Sequence, residues 1–160
     1  IGAVQGNAFG GGVGLACVCD VVVAVEDCRF GLTETRLGLI PATIGPYVIR
    51  RMGEGRARQV FMSARLFDAH EATVLGIVSK AVPRDRFKDA VEAEVTPYLM
   101  CAPQAVAAAK ALALELDGPV GEAAISRSIE MLSQRWDSAE AREGIDAFFD
   151  KRKPAWVKSD

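Results

Sequence analysis

No apolar run in the sequence is long enough to span a bilayer, and no stretch has the form of a signal peptide, so no membrane partner is expected. Neither sign of charge dominates: 19 Lys and Arg against 21 Asp and Glu leave a formal net charge of −2. The two signs are interspersed, and no basic face of the size nucleic acid needs is present. Cysteine is sparse. Cys17, Cys19, Cys28 and Cys101 show neither a zinc spacing nor the density of a disulfide scaffold. They read as inert thiols suited to a reducing, cytoplasmic setting. The one histidine, His70, stands next to a helix-capping aspartate and is given no role. Internal repeats and low-complexity linkers are absent too. What remains is a 160-residue chain, 50% apolar and 25% charged, able to bury one ordinary core.

Residues 1–4 read as a short apolar strand running into a glycine-rich turn, with a short helix over 12–17. Asp20 opens a strand through Val25, a continuous β-branched run of the kind covered on both faces. Arg29-Phe30 is a further extended piece, and 31–38 is a loop carrying Glu34. Gly45-Pro46 introduces a helix to Arg51, because proline is tolerated in a first turn, and Gly53 stands where a terminating glycine belongs. Residues 54–63 form another helix. Asp68-Ala69-His70-Glu71 has the form of a capping box, with the Asp68 carboxylate on the Glu71 amide and the Glu71 side chain reaching back. Its helix ends at Gly76, and 77–82 is extended. From Arg84 the chain reads as helical, over 84–95, 103–116, 122–135 (after a loop at 118–121) and 139–152, the last with Asp137 and Glu140 in capping-box register. The pattern is α/β in one domain, with a core portion over 1–83 and a helical section over 84–160.

Asn7-Ala8-Phe9-Gly10-Gly11-Gly12-Val13-Gly14-Leu15-Ala16 is the stretch best suited to chemistry. Consecutive glycines let a backbone pass close to a ligand. A main-chain amide at the start of the following helix lacks an intrahelical acceptor, and it can stabilise an oxygen that gains charge, as acyl-thioester chemistry requires. The glycines alone are equally compatible with a tight strand-to-helix turn that binds nothing.

The motifs that follow, in order, are Cys19-Asp20 with Val21-Val22-Val23-Ala24, Phe30-Gly31-Leu32-Thr33-Glu34, Leu37-Gly38-Leu39-Ile40-Pro41, Asp68-Ala69-His70-Glu71-Ala72, Leu75-Gly76-Ile77-Val78 and Phe148-Phe149-Asp150-Lys151-Arg152-Lys153. With the glycine-rich stretch they resemble the crotonase family, the enoyl-CoA hydratases and isomerases, over essentially the whole chain. The resemblance implies the C-terminal part of a crotonase (ClpP-like) ββα spiral, followed by a helical section that mediates trimer assembly. It also implies that a preceding N-terminal segment supplies a second oxyanion amide and much of the coenzyme A pocket.

By resemblance, Gly11 is the oxyanion-hole residue and Glu34 the catalytic acid/base. Family hydratases hold a water between two glutamates, but the position of the first is taken here by Gly14. Gly10, Gly14, Ile40, Pro41 and Tyr47 are expected substrate contacts, with Tyr47 equally readable as an aromatic packed at a helix start. Phe148 and Lys151 match positions that touch the CoA nucleotide, an aromatic over adenine and an ammonium on phosphate. From the residues alone, Lys151 also fits as a cation at a helix C-terminus. No metal and no cofactor is expected beyond coenzyme A as part of the substrate, and the partners expected are an acyl-CoA and further copies in a homotrimer or hexamer.

Two reactions stay open. A hydratase would add water to a 2-enoyl-CoA, the loss of a carboxylate at Gly14 making room for a branched or glutaconyl-type substrate. The segment Pro41-Ala42-Thr43-Ile44-Gly45-Pro46-Tyr47-Val48 resembles the methylglutaconyl-type bacterial hydratases of leucine and acyclic-terpene breakdown. An isomerase would move a double bond from the 3- to the 2-position with Glu34 alone. A catalytically inactive acyl-CoA-binding or assembly module is the reading from another class.

Overall fold

The structure, a computed structural model, describes residues 1–116, 118 and 121–158. The expected loop at 118–121 therefore falls partly outside the described residues. The chain forms two compact units, Ile1–Val95 and Thr96–Asp160.

The first unit is α/β. In chain order it contains β1 (Gly2–Val4), β2 (Ala8–Phe9), α1 (Gly11–Cys17), β3 (Val22–Val25), β4 (Arg29–Gly31), a 3-10 turn (Glu34–Leu37), α2 (Gly45–Met52), α3 (Glu54–Phe61), β5 (Leu66–Asp68), α4 (Ala69–Val74), β6 (Lys80–Val82) and α5 (Phe87–Val95), the last entered through a 3-10 turn at Arg84–Arg86. One sheet has the order β1-β3-β6 and is wholly parallel, with Ala3 beside Val23 and Ala24 beside Ala81. Central β3 is buried at all four residues, as its unbroken apolar run requires between covered faces. The second sheet has the order β2-β4-β5: β2 runs parallel to β4, and β5 closes it antiparallel. Phe30 of β4 and Phe67 of β5 are paired in register and stack with ring centroids 6.0 Å apart. With Val13, Leu32, Val48, Val60 and Ile77 they fill the core.

Neither β2 nor β5 is foreseen in the sequence. Two- and three-residue strands carry too little alternation to stand out from the loops around them. The helix expected over 84–95 belongs to this first unit, and packs on β3. Asp68 caps α4 as its spacing implies, accepting from the Glu71 amide at 2.8 Å. Glu71 does not reach back, however. Its carboxylate is taken by the Arg65 guanidinium in a two-pronged pair that holds it below the usual carboxylate range. At the far end of α2, Arg51 donates from Nε to the Gly76 carbonyl at 2.9 Å and from Nη2 to the Asp20 carbonyl at 3.3 Å.

The second unit contains a 3-10 turn (Thr96–Met100) around Pro97, then α6 (Pro103–Glu115), α7 (Glu122–Trp136) and α8 (Ala139–Phe149). No helix among the described residues is long and apolar enough to cross a membrane. Asp137 does not cap α8. Ser138 does, accepting from the Ala141 amide at 3.1 Å. Glu140 turns instead to the start of α6, where it accepts from the amides of Gln104 (3.1 Å) and Ala105 (3.2 Å), with Arg135 against it at 3.0 Å. A carboxylate from another helix thus supplies the acceptor that Ala102, at the N-cap, cannot. The last helix stops at Phe149 rather than Arg152, because Lys151 takes a left-handed φ of 54° and the Arg152 amide turns back to the Ala147 carbonyl at 3.0 Å.

The C-terminal segment is fastened by Glu143, which accepts from Arg152 and from the Ala155 amide at 2.8 Å. These contacts pull its carboxyl from an ordinary value of 4.5 down to about 2. A depressed carboxyl adds stability above its unfolded value and loses it as pH falls through the folded one. The melting temperature should therefore drop between about pH 4.5 and pH 2. Glu143→Gln should flatten that part of the pH profile in thermal melts, by a modest amount because the pair is exposed.

Candidate active site

β2 and β4 run side by side in the same direction, so their C-terminal ends come out together. Asn7 helps set this register, its Oδ1 accepting from the Arg29 amide at 2.9 Å. From the end of β2 the chain turns through Gly10 into α1. From the end of β4 it passes Leu32 and Thr33 into the 3-10 turn that begins at Glu34. Sites at the carboxyl ends of parallel strands are the general rule in α/β folds.

Gly10 makes the turn possible. Its φ of 49° is one that side-chain-bearing residues rarely adopt, and its amide donates to the Gly31 carbonyl at 2.9 Å, extending the β2–β4 pairing. Its carbonyl accepts from Val13 (3.0 Å) and Gly14 (3.2 Å), so the amides of Gly11 and Gly12 open α1 with no acceptor inside the helix. Gly11 is exposed. The Glu34 carboxylate comes to this corner: Oε1 lies 3.1 Å from the point a Gly10 Cβ would occupy. Its other oxygen, Oε2, is buried with no hydrogen-bond partner. Gly38, with φ 73°, closes the 3-10 turn, and the Leu39 amide donates to the Glu34 carbonyl at 3.1 Å. A carboxylate that comes to the glycine corner with one oxygen buried and unpartnered is a group suited to moving a proton, and helix-start amides with no acceptor inside the helix are groups suited to holding an oxyanion.

Gly14 is buried, and a Cβ there would stand 2.6 Å from Ile44 Cγ2 and 3.0 Å from Ile44 Cβ. The space that a side chain at position 14 would enter is filled by Ile44, the residue ahead of α2, so the glycine does not open the room for a branched substrate that the sequence suggests. The sequence gives no direct sign of this contact, since a lone isoleucine before Gly45-Pro46 reads as an ordinary loop residue.

Ile40 and Pro41 line an apolar pocket of about 480 Å³ with Thr35, Gly45, Ile49, Phe61 and Met62. Glu34 itself is not in that lining, although Thr35 follows it directly. Tyr47 stands exposed on α2. Phe148 and Lys151 lie in the second unit, at the end of α8. Phe148 is 78% exposed and meets Phe149 edge-on at 5.6 Å, and Lys151 occupies the left-handed position just past the helix. Cys17, at the end of α1, is taken out of nucleophilic chemistry, because burial pushes its thiol up to about 11.

The two helical glycines should respond oppositely to alanine. A Cβ on Gly12 meets Ala8 Cβ at an ordinary 3.4 Å, so Gly12→Ala should be neutral or gain up to about 1 kcal/mol of helix propensity. Gly14→Ala drives a methyl into Ile44, and an overpacking cost of about 1–3 kcal/mol should leave a net loss. Denaturant unfolding of the two variants checks both signs.

Comparison with known proteins adds a family to this geometry. The enoyl-CoA hydratase/isomerase family model matches residues 1–159. A putative enoyl-CoA hydratase of Thermus thermophilus is 34% identical over 156 residues, which are 96% of this chain and 61% of that protein. The 2,3-dehydroadipyl-CoA hydratase of Escherichia coli is 33% identical over 155 residues, with the same coverage. A crystal structure of an enoyl-CoA hydratase from Shewanella pealeana matches with a TM-score of 0.89 at 39% identity, over 94% of this chain and 57% of that one. The chain thus spans about three fifths of the length of the curated relatives it matches. With the parallel-strand corner, the glycine turn and the carboxylate beside it, the match places the chain in the enoyl-CoA hydratase/isomerase family, with the crotonase fold.

Proposed function

We propose that the protein adds water across the double bond of a 2-enoyl-CoA, with Glu34 as acid/base and the Gly11 amide as an oxyanion donor. The observation that carries this reading is the Glu34 carboxylate at the Gly10 corner, with one oxygen buried and unpartnered. In the reaction, Glu34 takes a proton from water as the water oxygen bonds to C3. The electron pair of the double bond moves onto the thioester oxygen, and the Gly11 N–H steadies that charge. The enolate then collapses as C2 takes the proton back from Glu34, so the sum is one water added. The names of the curated relatives support the reaction class, and that of the Escherichia coli relative adds a substrate whose acyl chain ends in a carboxylate.

A second reading has one specific observation in its favour. Ile44 fills the space at Gly14, which leaves Glu34 as the lone carboxylate identified at this corner. A single base can remove a proton from C2 of a 3-enoyl-CoA and return it to C4, with no water involved.

The expected assembly is a homotrimer or hexamer. Exposed apolar residues of the helical unit support it, among them Leu132, Trp136, Phe148 and Phe149. Light scattering on the purified protein should give a mass of three or six chains.

Incubation with a 2-enoyl-CoA should bleach the conjugated-thioester absorbance, whereas a 3-enoyl-CoA should leave it flat. A rise with the 3-enoyl ester reverses the assignment in favour of isomerisation. Glu34→Gln should lower kcat by about 100-fold or more while the dissociation constant for the product thioester changes little. Unchanged turnover in that variant ends the case for Glu34, and no turnover by the wild-type protein on any ester favours a binding module.

A further inference from the structure

Glu34 opens a 3-10 turn, Glu34–Leu37, in which no residue is buried. Ahead of the turn Leu32 is fully buried, and after it Leu37, Leu39 and Ile40 are all exposed. Oε2 of the Glu34 carboxylate has no hydrogen-bond partner, so it does not anchor the side chain. The main-chain bonds of the turn stay local. The Arg36 amide donates to the Thr33 carbonyl at 3.1 Å, Gly38 to Thr35 at 3.3 Å and Leu39 to Glu34 at 3.1 Å. They shape the turn without tying it to another element. The side chain next to Glu34 supplies that tie. Thr35 Oγ1 donates to the Phe61 carbonyl at 3.3 Å, 26 residues along the chain. Phe61 is the last residue of α3, where carbonyls lack intrahelical donors. The hydroxyl thus meets an open acceptor on a helix that is itself seated in the core through Ala57 and Val60.

Resting on the reading of Glu34 as acid/base, we propose that Thr35 is a positioning residue for it: the Thr35 hydroxyl ties the acidic turn to the end of α3 and so fixes where the Glu34 carboxylate stands at the Gly10 corner. Thr35 acts through the backbone it shares with Glu34, and the chemistry asks nothing of its own oxygen. Without the tie the turn shifts against the corner and carries the carboxylate with it. Proton transfer needs its partners within about 2.6–3.2 Å, and a misplacement of about 1 Å can cost about 100-fold in rate. The loss falls on kcat rather than on binding.

The experiment uses the full-length protein and whichever ester, 2-enoyl or 3-enoyl, the wild type turns over. Thr35→Val keeps the branched shape without the hydroxyl, and should lower kcat about tenfold with KM little changed. Thr35→Ser keeps the hydroxyl and should hold kcat near the wild-type value. A cycle with Glu34→Gln separates positioning from general stability: Thr35→Val should cost almost nothing further in that background, read in single turnovers. If Thr35→Val does not fold, Thr35→Ala, which sets no methyl against the Phe61 carbonyl, is read in the same way. Failure of both to fold makes the hydroxyl a requirement of the fold and overturns the proposal. So does an unchanged kcat in a folded variant, a loss that serine does not restore, or an equal loss in the Glu34→Gln background. Each of these leaves the function of Glu34 standing. No turnover of either ester by the wild-type protein removes the acid/base reading and this proposal together.

Discussion

The site depends on the backbone of one residue. Gly10 has to end β2, continue that strand's pairing with β4 through its own amide, and turn the chain into α1. Only a left-handed φ, here 49°, does all three. A side chain at this position would be strained by the backbone and would also press on the Glu34 carboxylate. The missing side chain at position 10 leaves the Glu34 carboxylate room to come to this corner. Because β2 and β4 are parallel neighbours, the helix start and the acidic turn leave the sheet at the same edge, and no long loop has to bring them together.

The two units of the chain hold together by different physics. The first is built on buried strands, with β3 enclosed at every residue and Phe30 stacked on Phe67 behind the site. Apolar burial of this kind is what keeps a strand edge fixed to within a fraction of a side chain. In the second, Ala147 is the one fully buried hydrophobic residue among the described residues. There, charged contacts gather at helix ends: Glu140 on the start of α6, Glu143 on Arg152, Arg127 on Glu115. Exposed ion pairs contribute little each, and much apolar surface of this helical unit stays uncovered, Leu132, Trp136, Phe148 and Phe149 among it.

Much of the architecture was legible in the sequence, because the stronger signals there are local. The β-branched run read from Asp20 to Val25, the prolines opening α2 and α6, Gly53 and Asp68 all act through their own backbone neighbourhood, and each element stands close to where its residues imply, the strand beginning at Val22. The glycine-rich stretch and Glu34 were singled out only by resemblance, through the order of motifs along the chain, and the structure brings the Glu34 carboxylate to the Gly10 corner. What was not legible depends on residues far apart in sequence. Glu71 fits a capping box by spacing, but Arg65 competes for it with a two-pronged ionic pair. Glu140 fits a box with Asp137, but the open amides of α6 claim it. The contact of Ile44 with Gly14 was not legible because it exists only once α2 has folded back against α1.

The reach of Arg51 to the carbonyls of Gly76 and Asp20 has a consequence for how such a site diversifies. α2 is pinned at its beginning by Ile44 against α1 and at its end by this guanidinium, so it behaves as a fixed beam beside the corner. The short span at 38–43, slung between the acidic turn and that beam, is free of both anchors and exposes Leu39 and Ile40. Changes of residue in that span can reshape the apolar pocket next to Thr35 while the Glu34 carboxylate at Gly10 and the Ile44 side chain at Gly14 stay in place. The shape of that pocket can thus drift independently of the glycine corner.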